Sequence, residues 1–267
     1  MSCEKNILPI SSASQPFNMK MALGIPLFIM IILALFEPSR LDLWLADMMY
    51  QPGIGFIGAK SFFLEDILHD RAKEAVIAIA LIIFATWLAS FAFPNKIKIE
   101  RKRLLYVVVA MVIASSVITP LKKLTEVHCP WSLDRYGGVE IYSSVMDKRA
   151  APVEKAGQCW PGGHASSGFI LFALFFALRD IRPRAARVAL IFALVLGVTF
   201  SVSRMLQGAH FLSHNVWTAL IDWLVCTLLY GLMLYRPAVQ ECPSQEYSAR
   251  EYSDQTVSAR MDTPHKS

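Results

Sequence analysis

The chain has 267 residues, carries a formal charge of +5 and is 55% hydrophobic. Its mean hydropathy of +0.43 is more apolar than a soluble domain of this length. The basic residues fall in short runs between apolar stretches, so no nucleic-acid partner is expected. Neither G-x-x-x-x-G-K-[ST] nor G-x-G-x-x-G occurs, which removes the glycine-loop nucleotide binders. Long uncharged runs describe an all-α, polytopic membrane protein.

Residues 1–16 are polar, and no small-residue cleavage site follows the first apolar run. That run reads as a retained signal anchor. Six spans are expected: 17–36, kinked at Pro26, then 75–93, 104–121, 161–178, 188–203 and 211–235. Several fall short of the roughly 20 residues of a flat crossing. All must be helices, because backbone groups in lipid need internal partners.

The loop after the second span carries Lys96, Lys98, Arg101, Lys102 and Arg103, and the loop after the fourth carries Arg179, Arg182, Arg184 and Arg187. Short basic loops stay cytoplasmic. Both termini are therefore expected inside, and segments 37–73, 122–160 and 204–210 outside. Within 37–73, "LDLWLADMMY" and "SFFLEDILHD" read either as amphipathic pieces on the bilayer surface or as ordinary structured loops. The membrane domain spans 17–235, and the Ser-, Glu-, Gln- and Arg-rich tail 236–267 reads as disordered and cytoplasmic.

Three outer blocks concentrate the chemistry. They are "KKLTEVHCPW" (122–131), "CWPGGH" (159–164) and "SRMLQGAHFLSH" (203–214). Lys122, Lys123, Arg204, His128, His164, His210 and His214 are thereby expected at one level, at the water–lipid boundary. Such a pocket suits phosphoryl transfer, which needs positive charge around the equatorial oxygens and an in-line nucleophile. Arginine binds phosphate bidentately. A Pro-Gly-Gly turn presents backbone N–H groups at a helix start. One histidine can attack while another protonates the leaving oxygen.

Taken in order and spacing, the blocks resemble the signature of the phosphatidic-acid-phosphatase type 2 superfamily, over roughly residues 104–235. Its pattern is Lys-x6-Arg-Pro, Pro-Ser-Gly-His and Ser-Arg-x5-His-x3-Asp. Lys122 followed by Cys129-Pro130, Pro161-Gly162-Gly163-His164, and Ser203-Arg204 followed by His210 occupy the matching positions. The resemblance implies a lipid-phosphate phosphatase without metal or other cofactor. His210 would form a phosphohistidine and His164 would act as general acid. Lys122, Arg204 and the Gly162 and Gly163 amides would hold the phosphate. A bacterial inner membrane, with the site on the periplasmic face and a membrane lipid phosphate as substrate, goes with it.

Three positions depart from the pattern. Cys129 replaces an arginine, for which Arg135, Lys123 or His128 are candidate substitutes. Gly162 replaces the serine. His214 replaces the aspartate that orients the nucleophilic imidazole; on a helix it shares a face with His210 and would accept its N–H. Asp222 is too far to substitute, roughly 18 Å along a helix. As an ionisable group within a span it should face the bundle interior.

Rival readings remain. His210 and His214, with His164 or His128, have metal-ligand spacing. A non-catalytic lipid-binding or transport protein, or a transferase moving phosphate to another lipid, would use the same pocket. Cys129 and Cys159 both fall outside and are expected to form a disulfide over it. Cys3 and Cys242 should be reduced, and Cys226 packs within the last span. Trp131 and Trp160 read as an interfacial belt.

Overall fold

The computed structural model describes residues 17–93, 100–145 and 157–235. Segment 1–16, Lys96, Lys98, Cys3 and the tail 236–267 with Cys242 lie outside the described residues. The described chain is almost wholly helical. In order it comprises α1 (Met19–Leu35), α2 (Ser39–Met48), a short hairpin of β1 (Tyr50–Gln51) and β2 (Gly55–Phe56), and a wide π-type turn (Phe63–Arg71) entering α3 (Ala72–Ala92). It continues with α4 (Arg101–Thr125), α5 (Gly163–Phe169), α6 (Phe172–Leu178), α7 (Pro183–Leu206) and α8 (Leu212–Met233). The two amphipathic pieces expected in 37–73 are thus α2 and the π-type turn.

Among the described residues four helices are long and apolar enough to cross a membrane: Phe63–Ala92, Arg101–Ser132, Pro183–Leu206 and Leu212–Met233. They coincide with the second, third, fifth and sixth expected spans. The first is occupied by α1, which has 17 residues and makes an 84° bend into α2. The fourth is occupied by α5 and α6, which together run only from Gly163 to Leu178. Pro26 lies inside α1 and Pro183 opens α7. Proline suits a first helical position because its missing N–H would go unbonded there anyway.

The bundle is apolar outward as well as inward. Ile82, Leu88 and Phe91 on α3, and Val188, Ile191, Val195 and Val202 on α7, face away from the protein. No water-filled side requires polar cover there. α5 and α6 are the central element: Ala165, Phe169, Leu171, Phe172, Ala173 and Phe176 are buried among α3, α4, α7 and α8. α5 meets α7 glycine to glycine. A Cβ on Gly168 would lie 2.5 Å from the Gly197 nitrogen, and one on Gly197 would strike the Phe169 ring. Small residues at a membrane-helix crossing permit this approach. One turn back from it, α5 carries His164 to the level of the last turns of α7.

The two ends of the bundle differ in chemistry. At one, Arg103 donates to the Ala177 carbonyl and lies 3.7 Å from Asp180, and Tyr230 donates to Asp180. The end of α4, the start of α5, the end of α7 and the start of α8 converge at the other. The start of α8 is fixed from far along the chain. Asp42 of α2, only 1% exposed, accepts from the Ser213 N–H at 2.9 Å and from the Ser213 hydroxyl. A carboxylate there satisfies donors that a helix start leaves open and favours the helix dipole. Asp42→Ala is expected to cost about 2 kcal/mol of stability. Asp42→Asn, which retains an acceptor, should cost less. Thermal unfolding in detergent checks this, and an unchanged midpoint for the alanine variant would contradict it.

Candidate active site

Lys122 stands in the last turn of α4, which closes at Glu126 in the left-handed region, φ 50°. The chain then runs beside segment 157–159. The Gly157 N–H donates to the Glu126 carbonyl at 3.1 Å and the Cys159 N–H to the Val127 carbonyl at 2.9 Å. Cys129 and Cys159 are bridged here, with Cα atoms 5.2 Å apart. The Trp160–Pro161 peptide is cis. Gly162 then caps α5, placing Gly163 and His164 in its first turn. A Cβ on Gly163 would sit 3.1 Å from Lys122 Nζ. The missing side chain is what lets the ammonium lie against the glycine turn.

From the other side α7 ends in Ser203 and Arg204. The Arg204 guanidinium donates to Gln207 Oε1 at 2.8 Å, and Gln207 Nε2 donates to Glu65 Oε2 at 3.0 Å. Trp131 lies beside the same guanidinium, 5.7 Å from ring centre to Cζ. Arg204 is thereby aimed, through Gln207, by a glutamate of the π-type turn that lies 142 residues before Gln207 in sequence. Gly208 makes the turn out of α7 with φ 72°, and its bare Cα packs on Phe56. That turn delivers His210, 5% exposed, just ahead of α8.

His210 is the electrostatic centre of the cluster. Burial above all, then Lys122, His214, Arg204 and His164, hold its pKa well below the ordinary 6.5. It stays neutral at neutral pH and keeps a ring lone pair. The sign of the linkage follows. Below pH 6.5 the unfolded chain takes up a proton at this position that the folded chain refuses, so stability is full above that pH and lost beneath it. The melting temperature should fall from pH 7 to pH 5, and less steeply in His210→Asn. Equal slopes would contradict a buried neutral imidazole.

The fold therefore brings together Lys122, His164, Arg204, His210, His214 and the glycine turn. It rearranges some roles. His214 does not orient His210. The ring centres are 6.1 Å apart, and Nδ1 of each ring is buried with no hydrogen-bond partner among the described residues. The His214 ring lies instead near the Cys159 backbone, where α8 meets the glycine turn. The Gly162 amide is not an open donor, because it donates to the His214 carbonyl at 3.3 Å. Asn215 Oδ1 lies 2.5 Å from where a Cβ on residue 162 would be. Asparagine thus fills the space of the absent serine.

The proposed stand-ins for the missing arginine are also placed elsewhere. Arg135 is engaged bidentately by Asp47, at 2.8 and 2.7 Å, which pushes its pKa up and holds that of Asp47 down. His128 lies 3.4 Å from Glu140. Lys123 is exposed on the outer face of α4. Asp222 is fully buried and faces Ser166 of α5, well below the site. Trp160 is not a belt residue: it is buried, edge-on to Trp217 at 5.4 Å. No three His, Cys, Asp or Glu side chains among the described residues are placed to hold a metal ion.

A groove of about 590 Å³ leads to the site between α3, α4 and α5. Val76, Leu81, Met111 and Ile170 line it, and Lys122, Gly163 and His164 stand at its polar end. A small recess on the other side of His164 is lined by Leu68, Phe200, Ser203 and Arg204.

Fold and site together define a helical membrane protein with a basic, imidazole-rich pocket where its helix ends meet. The family model of the PAP2 superfamily matches residues 103–238, and the chain belongs to that superfamily. A relative is the lipid A 4'-phosphatase of Francisella tularensis subsp. novicida (strain U112), 29% identical over 229 residues, covering 81% of this chain and 96% of the relative. No solved structure matches the chain.

Proposed function

We propose that this protein is an integral membrane phosphatase that hydrolyses the phosphomonoester or diphosphate of an amphiphilic lipid through a phosphohistidine. The observation that carries this reading is the convergence of Lys122, Arg204 and His164 on the neutral, buried His210. In the first step a bond forms between a His210 nitrogen and phosphorus as the ester bond breaks. His164 gives its proton to the departing oxygen. In the second step His164 takes a proton from water, which attacks phosphorus and releases His210. Lys122, Arg204 and the amides from Gly163 onward stabilise the oxygens through both steps. No metal ion is required.

The apolar walls of the groove favour a substrate with a hydrocarbon chain that reaches the site from within the bilayer. The lipid A 4'-phosphatase relative favours the same class. With α1 and α5–α6 counted as short crossings, the chain spans six times. The Arg103 and Arg179 end then lies in the cytoplasm with both termini, by the positive-inside rule, and the site faces the periplasm of a bacterial inner membrane. The Cys129–Cys159 bridge suits that oxidising compartment.

The test is phosphate release from phosphatidate, phosphatidylglycerol phosphate, polyprenyl diphosphate and lipid A by the detergent-purified protein, with and without a chelator and vanadate. Activity that survives chelation and falls with vanadate supports the reading. Loss on chelation would favour a metal hydrolase. Transfer of phosphate to an added lipid without release would make it a transferase. Inactivity on the whole panel would favour a binding or transport protein.

A further inference from the structure

We propose that Lys73, at the start of α3, is the third cation of the phosphate site, taking the charge role left open by Cys129. This rests on the phosphatase reading above. The groove that contains Lys122 and Gly163, and the recess that contains Ser203 and Arg204, have only two lining residues in common. One is His164, the expected general acid. The other is Lys73. Lys73 therefore borders both halves of the site, the one with the cation of α4 and the one with the cation of α7.

Lys73 has no carboxylate within ion-pair distance among the described residues. Its neighbour Glu74 is taken by Arg71 at 3.1 Å. Asp66, Asp70 and Glu74 do line a separate outer cavity that Lys73 also borders. Lys73 thus borders the basic site as well as that outer cavity, where Arg71 stands among the carboxylates. The other cations near the pocket mouth are accounted for, with Arg135 held by Asp47 and Lys123 facing outward.

The backbone supports the placement. The segment that carries Lys73 is docked on the end of α7. The Gly58 N–H donates to the Leu206 carbonyl at 2.9 Å, and Glu65 accepts from Gln207 at 3.0 Å. One segment therefore both aims Arg204, through Glu65 and Gln207, and contributes Lys73. A transferring phosphoryl group spreads charge over three equatorial oxygens, and Lys122, Arg204 and Lys73 provide a cation for each.

The test compares Lys73→Met, Lys73→Arg and Lys123→Met with the wild type. Two quantities are measured: kcat/KM on the best lipid phosphate, and the dissociation constant for orthovanadate by isothermal titration. Lys73→Met should lower kcat/KM by about 10²-fold and weaken vanadate binding at least tenfold. Lys73→Arg should recover most of both, and Lys123→Met should change neither more than twofold. If Lys73→Met behaves like Lys123→Met, the proposal is wrong while the phosphatase reading stands. If the wild type hydrolyses nothing, the phosphatase reading fails and vanadate binding alone decides. Weaker binding in Lys73→Met upholds the cation site; equal binding, or none by the wild type, overturns it.

Discussion

His210→Ala is expected to lower phosphate release from a lipid phosphate by roughly 10⁴-fold or more, the scale seen when a covalent nucleophile is removed. The site holds no second group able to take over the bond to phosphorus. His214 stands 6.1 Å from His210, ring centre to ring centre, and in the proposed mechanism His164 serves the leaving oxygen. Substrate and vanadate binding should change far less, because Lys122 and Arg204 remain. Steady-state kinetics beside a vanadate titration separates the two effects. A variant that keeps a tenth of wild-type activity would remove His210 from the chemistry.

His164→Ala is expected to produce a loss that depends on the leaving group. An alkoxide leaving from a lipid needs a proton, and a general acid contributes about 10²–10⁴-fold. A nitrophenolate needs none, so its departure should be nearly unaffected. With p-nitrophenyl phosphate the variant should still show a burst of nitrophenol followed by a slow steady rate, because His164 also serves the attack of water. With a lipid phosphate the burst should vanish. Equal losses on both substrates would make His164 a phosphate-binding group. Its position at the border of groove and recess favours the acid role, since the leaving oxygen carries the lipid and must point into the groove.

The local parts of this account were legible in the chain. Four of the expected spans coincide with helices long and apolar enough to cross, because hydropathy alone sets such elements. Lys122, His164, Arg204 and His210 converge as their spacing implies, because each sits within a few residues of a helix end and the ends must meet at one membrane surface. Gly163 was legible as a turn, though not as a space for the Lys122 ammonium.

What escaped was contact between distant segments. Asp42 at the start of α8, 171 residues away, and Glu65 behind Arg204 carry no local pattern. The Gly168–Gly197 crossing, which sets the height of His164 against α7, leaves only two unremarkable glycines in the sequence. His214 shares a helical face with His210, but a shared face fixes proximity and not the direction of a ring. In the fold the two ring centres stand 6.1 Å apart, and Nδ1 of neither finds a partner among the described residues. The Cys129–Cys159 loop accounts for the first departure from the family pattern: a disulfide stands at the position of the arginine.

The measurement that tests the central claim most directly is trapping of the phosphoenzyme. Purified protein would be mixed with a ³²P-labelled lipid phosphate, quenched within milliseconds in alkali, and digested for mapping of the label. The account predicts a label stable to alkali and lost in acid, as a phosphorus–nitrogen bond requires, on the peptide containing His210 and absent from His210→Ala. Turnover with no trapped label, or a label on any other residue, would contradict it.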